Sequence, residues 1–290
     1  MAVLVTGATG KTGVAVVEAL RSRGIATRAA SRRPGVSVEG VEHVRMDWSD
    51  PTTWADALDG VDAVYLVGPY AAADNAGLVG RLLAAAPDVR RVVHLSIMGV
   101  DKLPTAIPMA QWEADIRESG RDWTILRPNW FFQNLEDGFA GPLRDHGVLE
   151  APAGDARIGF IDTSDIGEVA AIALTEEGHG GRTYTLTGPQ ALTYSEALAE
   201  LGQAADRELR YVALAVDEFA GRLSEGGAPD WAVVWQLALH DLIRAGEYAA
   251  VTGTVEEITG HPPRSLGTYA TAYANYWRLG GLAEGGLGQA

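Results

Sequence analysis

Short apolar runs recur through the first half of the chain, each closed by glycine or a polar tip and followed by a stretch of helical periodicity. Residues 2–6 form such a run, ended by Gly7, and residues 14–20 have helical composition until Gly24 stops them. Strands are predicted again over 25–31, 41–46, 63–67, 89–96 and 123–126, with helices over 53–58, 75–86 and 109–119 between them. This alternation predicts an α/β protein whose parallel sheet is covered on both faces. Right-handed crossovers then make a doubly wound, Rossmann-type sheet the expected topology. Beyond Arg127-Pro128 the rhythm loosens. Residues 158–161 and 183–187 read as strands, 193–204 as a helix opened by a threonine cap, and 217–223 and 231–245 as further helices. We expect residues 1–150 to form the nucleotide-binding domain and 151–280 a smaller, mainly helical substrate lobe partly interleaved with it. Residues 281–290 are expected to be a flexible, glycine-rich tail.

Composition narrows the chemistry. The chain has 290 residues, no cysteine and six histidines, none of them at His-x-x-x-His spacing, so no metal site is expected. Its formal charge of -15 argues against a nucleic-acid partner. No apolar stretch approaches the ~18 residues of a membrane span, and no basic region precedes an apolar run at the N-terminus. A cytoplasmic protein, monomeric or homodimeric and acting on a small aromatic or conjugated substrate, is the expectation. One local basic excess stands out: Arg21, Arg23, Arg28, Arg32 and Arg33 fall between Glu18 and Glu39 with no acid among them.

Gly7, Gly10 and Gly13, with Thr9, Lys11 and Thr12 between them, lie directly after the first strand and before the first helix. Glycines there permit a tight turn and close approach of backbone to a pyrophosphate, which the helix N-terminus attracts. Gly10-Lys11-Thr12 is no triphosphatase loop, because only Ala8 and Thr9 separate Gly7 from Gly10. Lys11 is expected to reach a cofactor phosphate from the rim. The second strand ends in Arg32 and Arg33 with no acid, which favours the 2'-phosphate of NADP over the ribose hydroxyl of NAD; solvated surface arginines are the plainer alternative. Asp47 is either an adenine contact or an exposed loop carboxylate.

The run from Gly7 to Gly13, Arg32, Met46-Asp47, Leu126-Arg127-Pro128 followed by Trp130-Phe131-Phe132-Gln133-Asn134, and 162–165 resemble the NmrA-like branch of the atypical short-chain dehydrogenase/reductases. Residues 184–189 and 254–263 are similar to its later motifs. The likeness is greatest to bacterial NADPH quinone oxidoreductases and ergot-alkaloid-type reductases. The resemblance implies that Gly7, Thr9, Gly10, Lys11 and Thr12 line the pyrophosphate, Arg32 and Arg33 the 2'-phosphate, and Asp47 the adenine. It also implies Gly68 and Pro69 beside the ribose, Leu95, Ser96 and Ile97 near the nicotinamide, and Pro128 to Phe131 closing over it.

The usual acid of ketone reduction is missing. The chain holds two lysines, and four residues before Lys11 and Lys102 stand Gly7 and Met98, so no Tyr-x-x-x-Lys pair exists. Relatives commonly carry a lysine four residues before the helix glutamate, where this chain has Met109 before Glu113. Ser96 is a candidate for catalytic assistance or for simple strand-end hydrogen bonding, and Tyr70 is the alternative proton donor. His94 reads as a packed strand histidine rather than a base. Trp130, Phe131 and Trp231 are expected to bind substrate, with Trp235 assigned to core packing. Residues 163–165 are expected to cap a helix on a solvated turn. These features point to an NADPH-dependent reductase of an activated acceptor (quinone, iminium or conjugated enone) in secondary metabolism or detoxification. The alternative is a non-catalytic NADP(H) sensor acting through a protein partner.

Overall fold

The computed structural model describes residues 1–33, 40–70, 75–104 and 107–278. The elements run β1 (Ala2–Val5), α1 (Lys11–Ser22), β2 (Ala26–Ser31), β3 (Glu42–Arg45), α2 (Trp54–Leu58), β4 (Ala63–Val67), α3 (Leu78–Ala84), β5 (Arg91–Leu95), α4 (Met109–Glu118) and β6 (Asp122–Pro128). They continue with α5 (Gly141–His146), β7 (Val148–Ala151), α6 (Thr163–Thr175), β8 (Arg182–Leu186), α7 (Tyr194–Ala205), β9 (Arg210–Ala213), α8 (Val216–Glu225), α9 (Asp230–Arg244), α10 (Thr254–Thr259), α11 (Leu266–Ala272) and α12 (Ala274–Trp277). Seven strands form one parallel sheet in the order β3-β2-β1-β4-β5-β6-β8, the doubly wound arrangement that the alternation predicts. Among the described residues no helix is long and apolar enough to cross a membrane.

Successive residues of each strand serve opposite layers, as the pleat requires. Val3 and Val5 pack with α1, α6 and Val255 of α10, whereas Leu4 joins Leu82 of α3 and Trp112 of α4 on the other face. A third core, with Phe132, Phe160, Tyr194, Tyr269 and Trp277, lies in the C-terminal lobe. Chain order and layer order part company after residue 150. Helices α6 and α10 cover the seven-stranded sheet and β8 extends its edge, whereas α7 to α9, α11 and α12 build the lobe.

Two sequence expectations fail. Residues 158–161 form no strand: Ile158 bonds to Leu192, Gly159 to Tyr248 and Ile161 to Trp130, so each backbone group serves a different neighbour and no ladder develops. The lobe also contains a parallel pair, β7 with β9, which the pattern did not predict, because each strand has only four residues and about sixty residues separate the partners. The expected tail at 281–290 lies outside the described residues.

Helix α6 lies so close to α1 that a Cβ on Gly167 would meet backbone carbon of Ala15 at 2.6 Å. Gly221, inside the exposed α8, has nothing within 4 Å. The same substitution should therefore have opposite signs at the two sites. Gly167→Ala should lose about 1–3 kcal/mol to overpacking, and Gly221→Ala should gain about 0.5–1 kcal/mol from helix propensity, read by urea unfolding. Equal effects would contradict the packing argument.

Candidate nucleotide and substrate site

The loop after β1 is held open by its own backbone. Thr6 Oγ accepts from Val67 N–H at 2.8 Å and donates to Tyr65 carbonyl at 3.1 Å, locking the ends of β1 and β4 together. Gly7 takes φ +61°, a left-handed conformation that glycine adopts without strain. Gly10 N–H then returns to the Gly7 carbonyl at 2.9 Å, and a Cβ on Gly13 would come within 2.1 Å of that same oxygen. Helix α1 starts at Lys11 with no side-chain cap and no acid in its first turn. Its N-terminal N–H groups thus carry no side-chain cap of their own, which fits a dinucleotide pyrophosphate. Thr9 borders this cradle half-exposed, and Thr12 is buried behind it.

Ala8 N–H donates to Ala30 carbonyl at 3.1 Å, drawing the loop against the end of β2, two residues before Arg32. Arg32 and Arg33 are exposed there, and Ser31 Oγ donates to the Arg33 carbonyl at 2.7 Å. Asp47, half-buried after β3, accepts from Ser49 N–H at 2.9 Å, so one carboxylate oxygen already holds its own turn. Gly68 and Pro69 are buried after β4; a Cβ on Gly68 would lie 2.3 Å from the Trp112 ring.

A cleft of about 1030 Å³ opens beside the C-terminal ends of β5 and β6. It brings together Lys11, Tyr70, Leu95, Ser96 and Pro128 from the sheet layer with Trp130, Phe131 and Trp231 from the chain beyond. The arginines and Asp47 lie outside it, farther along the same sheet edge. Trp235, expected to be core, also lines the cleft: it is half-buried, with its ring 6.1 Å from Tyr70, because α9 turns the face carrying Trp231 and Trp235 toward the opening. Lys11 spans the cleft, donating from Nζ to Asp137 at 2.6 Å and Asn134 at 3.2 Å.

Behind Ser96, buried outside the cleft lining, sits Glu113, which the sequence marks only by its missing lysine neighbour. Ser96 Oγ donates to its carboxylate at 2.5 Å, Arg127 binds it through two nitrogens at 2.9 and 2.7 Å, and Arg117 adds a third cationic contact at 2.7 Å. Burial alone would raise the pKa of this nearly inaccessible carboxyl, but the Arg127 and Ser96 hydrogen bonds outweigh it and hold it below the usual range. Only the Arg117 partner is visible in the sequence, at helical i,i+4 spacing.

Ser96 therefore has no proton left to offer. Burial raises the Tyr70 phenol above its ordinary pKa, so it stays neutral and keeps its proton as a hydrogen-bond donor. His94 is fully buried with Nδ1 against Leu66 carbonyl at 3.0 Å, and burial lowers its pKa to about 4. Asp162 and Asp165 correct the expected solvated turn, since both are buried. Asp162 caps α6 by accepting from Ser164 N–H at 2.8 Å, and Asp165 is paired with Arg264 at 2.5 Å because the connection between α10 and α11 crosses it, Arg264 N–H donating to the same carboxylate at 2.8 Å.

A family model described as NAD(P)H-binding matches residues 7–177. The chain is 37% identical to the (4-alkanoyl-5-oxo-2,5-dihydrofuran-3-yl)methyl phosphate reductase of Streptomyces griseus, over 94% of this chain and 98% of that one. It is 32% identical to the NAD(P)H azoreductase of Xenophilus azovorans, over 94% and 98%. The structure of the Escherichia coli NADPH-dependent quinone oxidoreductase complexed with NADPH superposes with a TM-score of 0.79 at 27% identity, covering 93% of this chain and 99% of that one.

His240, behind the cleft wall among Trp130, Phe139 and Phe219, is also buried with its pKa lowered to about 4. His94 and His240 thus stay neutral in the folded protein while the unfolded chain takes up protons below about 6.5. Their contribution is complete above that pH and is lost as pH falls toward 4, by roughly 2 kcal/mol each between pH 7 and 5. Urea unfolding across this range should show the decline, and His240→Leu should remove about half of it. An unchanged slope in the variant would refute the assignment.

Proposed function

The chain belongs to the NAD(P)H-binding family, and from that membership we propose an oxidoreductase of the NmrA-like branch that reduces an acceptor already electrophilic in itself, a quinone, an iminium or a conjugated enone. Its cofactor is NADP(H). When bound, NADPH supplies a hydride, and the protein must hold, orient and keep water from the reacting pair. We assign Gly7, Thr9, Gly10, Lys11 and Thr12 to the pyrophosphate, Arg32 and Arg33 to the 2'-phosphate, Asp47 to the adenine, and Gly68 and Pro69 to the ribose. Leu95, Ser96 and Pro128 are assigned to the nicotinamide end. Tyr70, Trp130, Phe131 and Trp231 form the acceptor wall. A role in secondary metabolism or detoxification accords with such a broad apolar cleft.

The observation that carries this reading is the lack of an available acid where the Tyr-Lys pair of ketone reductases would act. The Ser96 proton is committed to Glu113, and neither lysine is placed to assist Tyr70, since Lys11 is held by Asp137 and Asn134 and Lys102 by Glu247. An alkoxide forming there would lack the lysine-assisted donor of ketone reductases, whereas a quinone delocalises the new charge and an iminium is neutralised by it. Ser96 and Tyr70 then act by orienting the acceptor. The open cleft beside the strand ends also supports turnover over a purely sensing role.

Calorimetry should show NADPH bound more tightly than NADH, and Arg32→Ala should cost NADPH about 1.5–3 kcal/mol, roughly ten- to a hundredfold, while leaving NADH unchanged. Deuterium from labelled NADPH should appear stereospecifically in reduced quinones or cyclic iminium ions and not in simple ketones. Turnover confined to unactivated ketones, or no labelled product across that panel, would sink the proposal.

A further inference from the structure

The charged groups of the cleft are mostly spent on the protein. Among the described residues Lys11 is the only basic one lining it, and its ammonium is held by Asp137 and Asn134. Asn75 donates to Pro69 carbonyl at 3.3 Å, Asn129 to Tyr248 carbonyl at 2.8 Å, and Ser96 to Glu113. Among the described residues, the lining carboxylate left without an ion pair is Asp230, exposed at the first position of α9. Trp231 follows it, 52% exposed, and Trp235 stands one turn on, with its ring against Tyr70.

We propose that this mouth selects a flat polycyclic cation, and that Asp230, Trp231 and Trp235 are its specificity-determining residues. Indole faces attract a cation through their quadrupole, and an uncompensated carboxylate at the rim adds a favourable field. An anionic ligand of the same shape would meet that carboxylate with no free cation among the described lining residues to offset it. Asp230 also complements the positive end of α9. A role confined to helix stability would leave ligand preference unmoved when the charge is removed. The inference rests on the reductase reading for what happens after binding, and on the cleft alone for binding itself.

The test uses three probes of one ring skeleton, 10-methylacridinium, acridine and acridine-9-carboxylate, titrated at about pH 8 into the protein saturated with NADP⁺ and followed by fluorescence. The cation should bind about tenfold more tightly than neutral acridine, and the carboxylate most weakly. Raising salt from about 0.05 M to about 0.5 M should narrow that spread. Asp230→Asn should bring the cation to within about twofold of acridine while acridine itself is unaffected. Trp231→Ala, at an exposed position, should weaken all three probes, the cation most. Equal affinities in the wild-type protein, or a cation preference unchanged in Asp230→Asn, would overturn the proposal. Bleaching of 10-methylacridinium by NADPH is read separately, so intact selectivity without bleaching counts against the reductase reading alone.

Discussion

The Gly7 carbonyl oxygen lies where a Cβ on Gly13 would come within 2.1 Å of it, and this approach sets the start of α1 against the end of β1. Any side chain at residue 13 would push the helix away and carry its N-terminal N–H groups out of line with the loop. The same helix is pinned from the other side by α6 through Gly167, so α1 is clamped between the loop and a helix that comes about 150 residues later. The geometry of this loop therefore depends on the folding of the second half of the chain, although the loop itself lies within the first thirteen residues.

Next to this rigid edge the floor of the cleft is organised by a buried charge. Glu113 is held ionised by Arg127 and Arg117, and such an arrangement is tolerated only when every lone pair is used. Ser96 supplies the last of those contacts. The cost of burying a carboxylate is thus offset partly by a hydroxyl that would otherwise face the cleft as a donor. Stability and chemistry are coupled at one bond: the network that keeps α4, β5 and β6 together also withdraws a proton from the site.

What was legible in the sequence was local. The glycine loop, the arginines at the end of β2 and the threonine cap of α7 each declare themselves within a few residues, because turn geometry and capping are short-range physics. Contacts that join distant elements were not legible. Arg127 reaches Glu113 from the next strand, and Lys11 meets Asn134 and Asp137 across more than 120 residues. Gly167 looks like an ordinary helix glycine until α1 is placed beside it. Trp235 packs against the core as expected and also borders the cleft, and periodicity cannot tell the two apart: an aromatic stripe on one helical face is the same pattern whether it meets another helix or an opening.

The two halves of the cleft divide the work by layer. The sheet layer contributes fixed backbone and a saturated polar network, neither of which can change without disturbing the nucleotide edge. The α9 wall contributes half-buried and exposed aromatic side chains, together with one carboxylate, on a helix that no strand of the main sheet constrains. Substitutions on that wall can alter which acceptor enters while leaving the cradle intact. On the proposed reading, the sheet layer's polar groups are already committed to one another, so discrimination between acceptors falls to shape and charge at that wall.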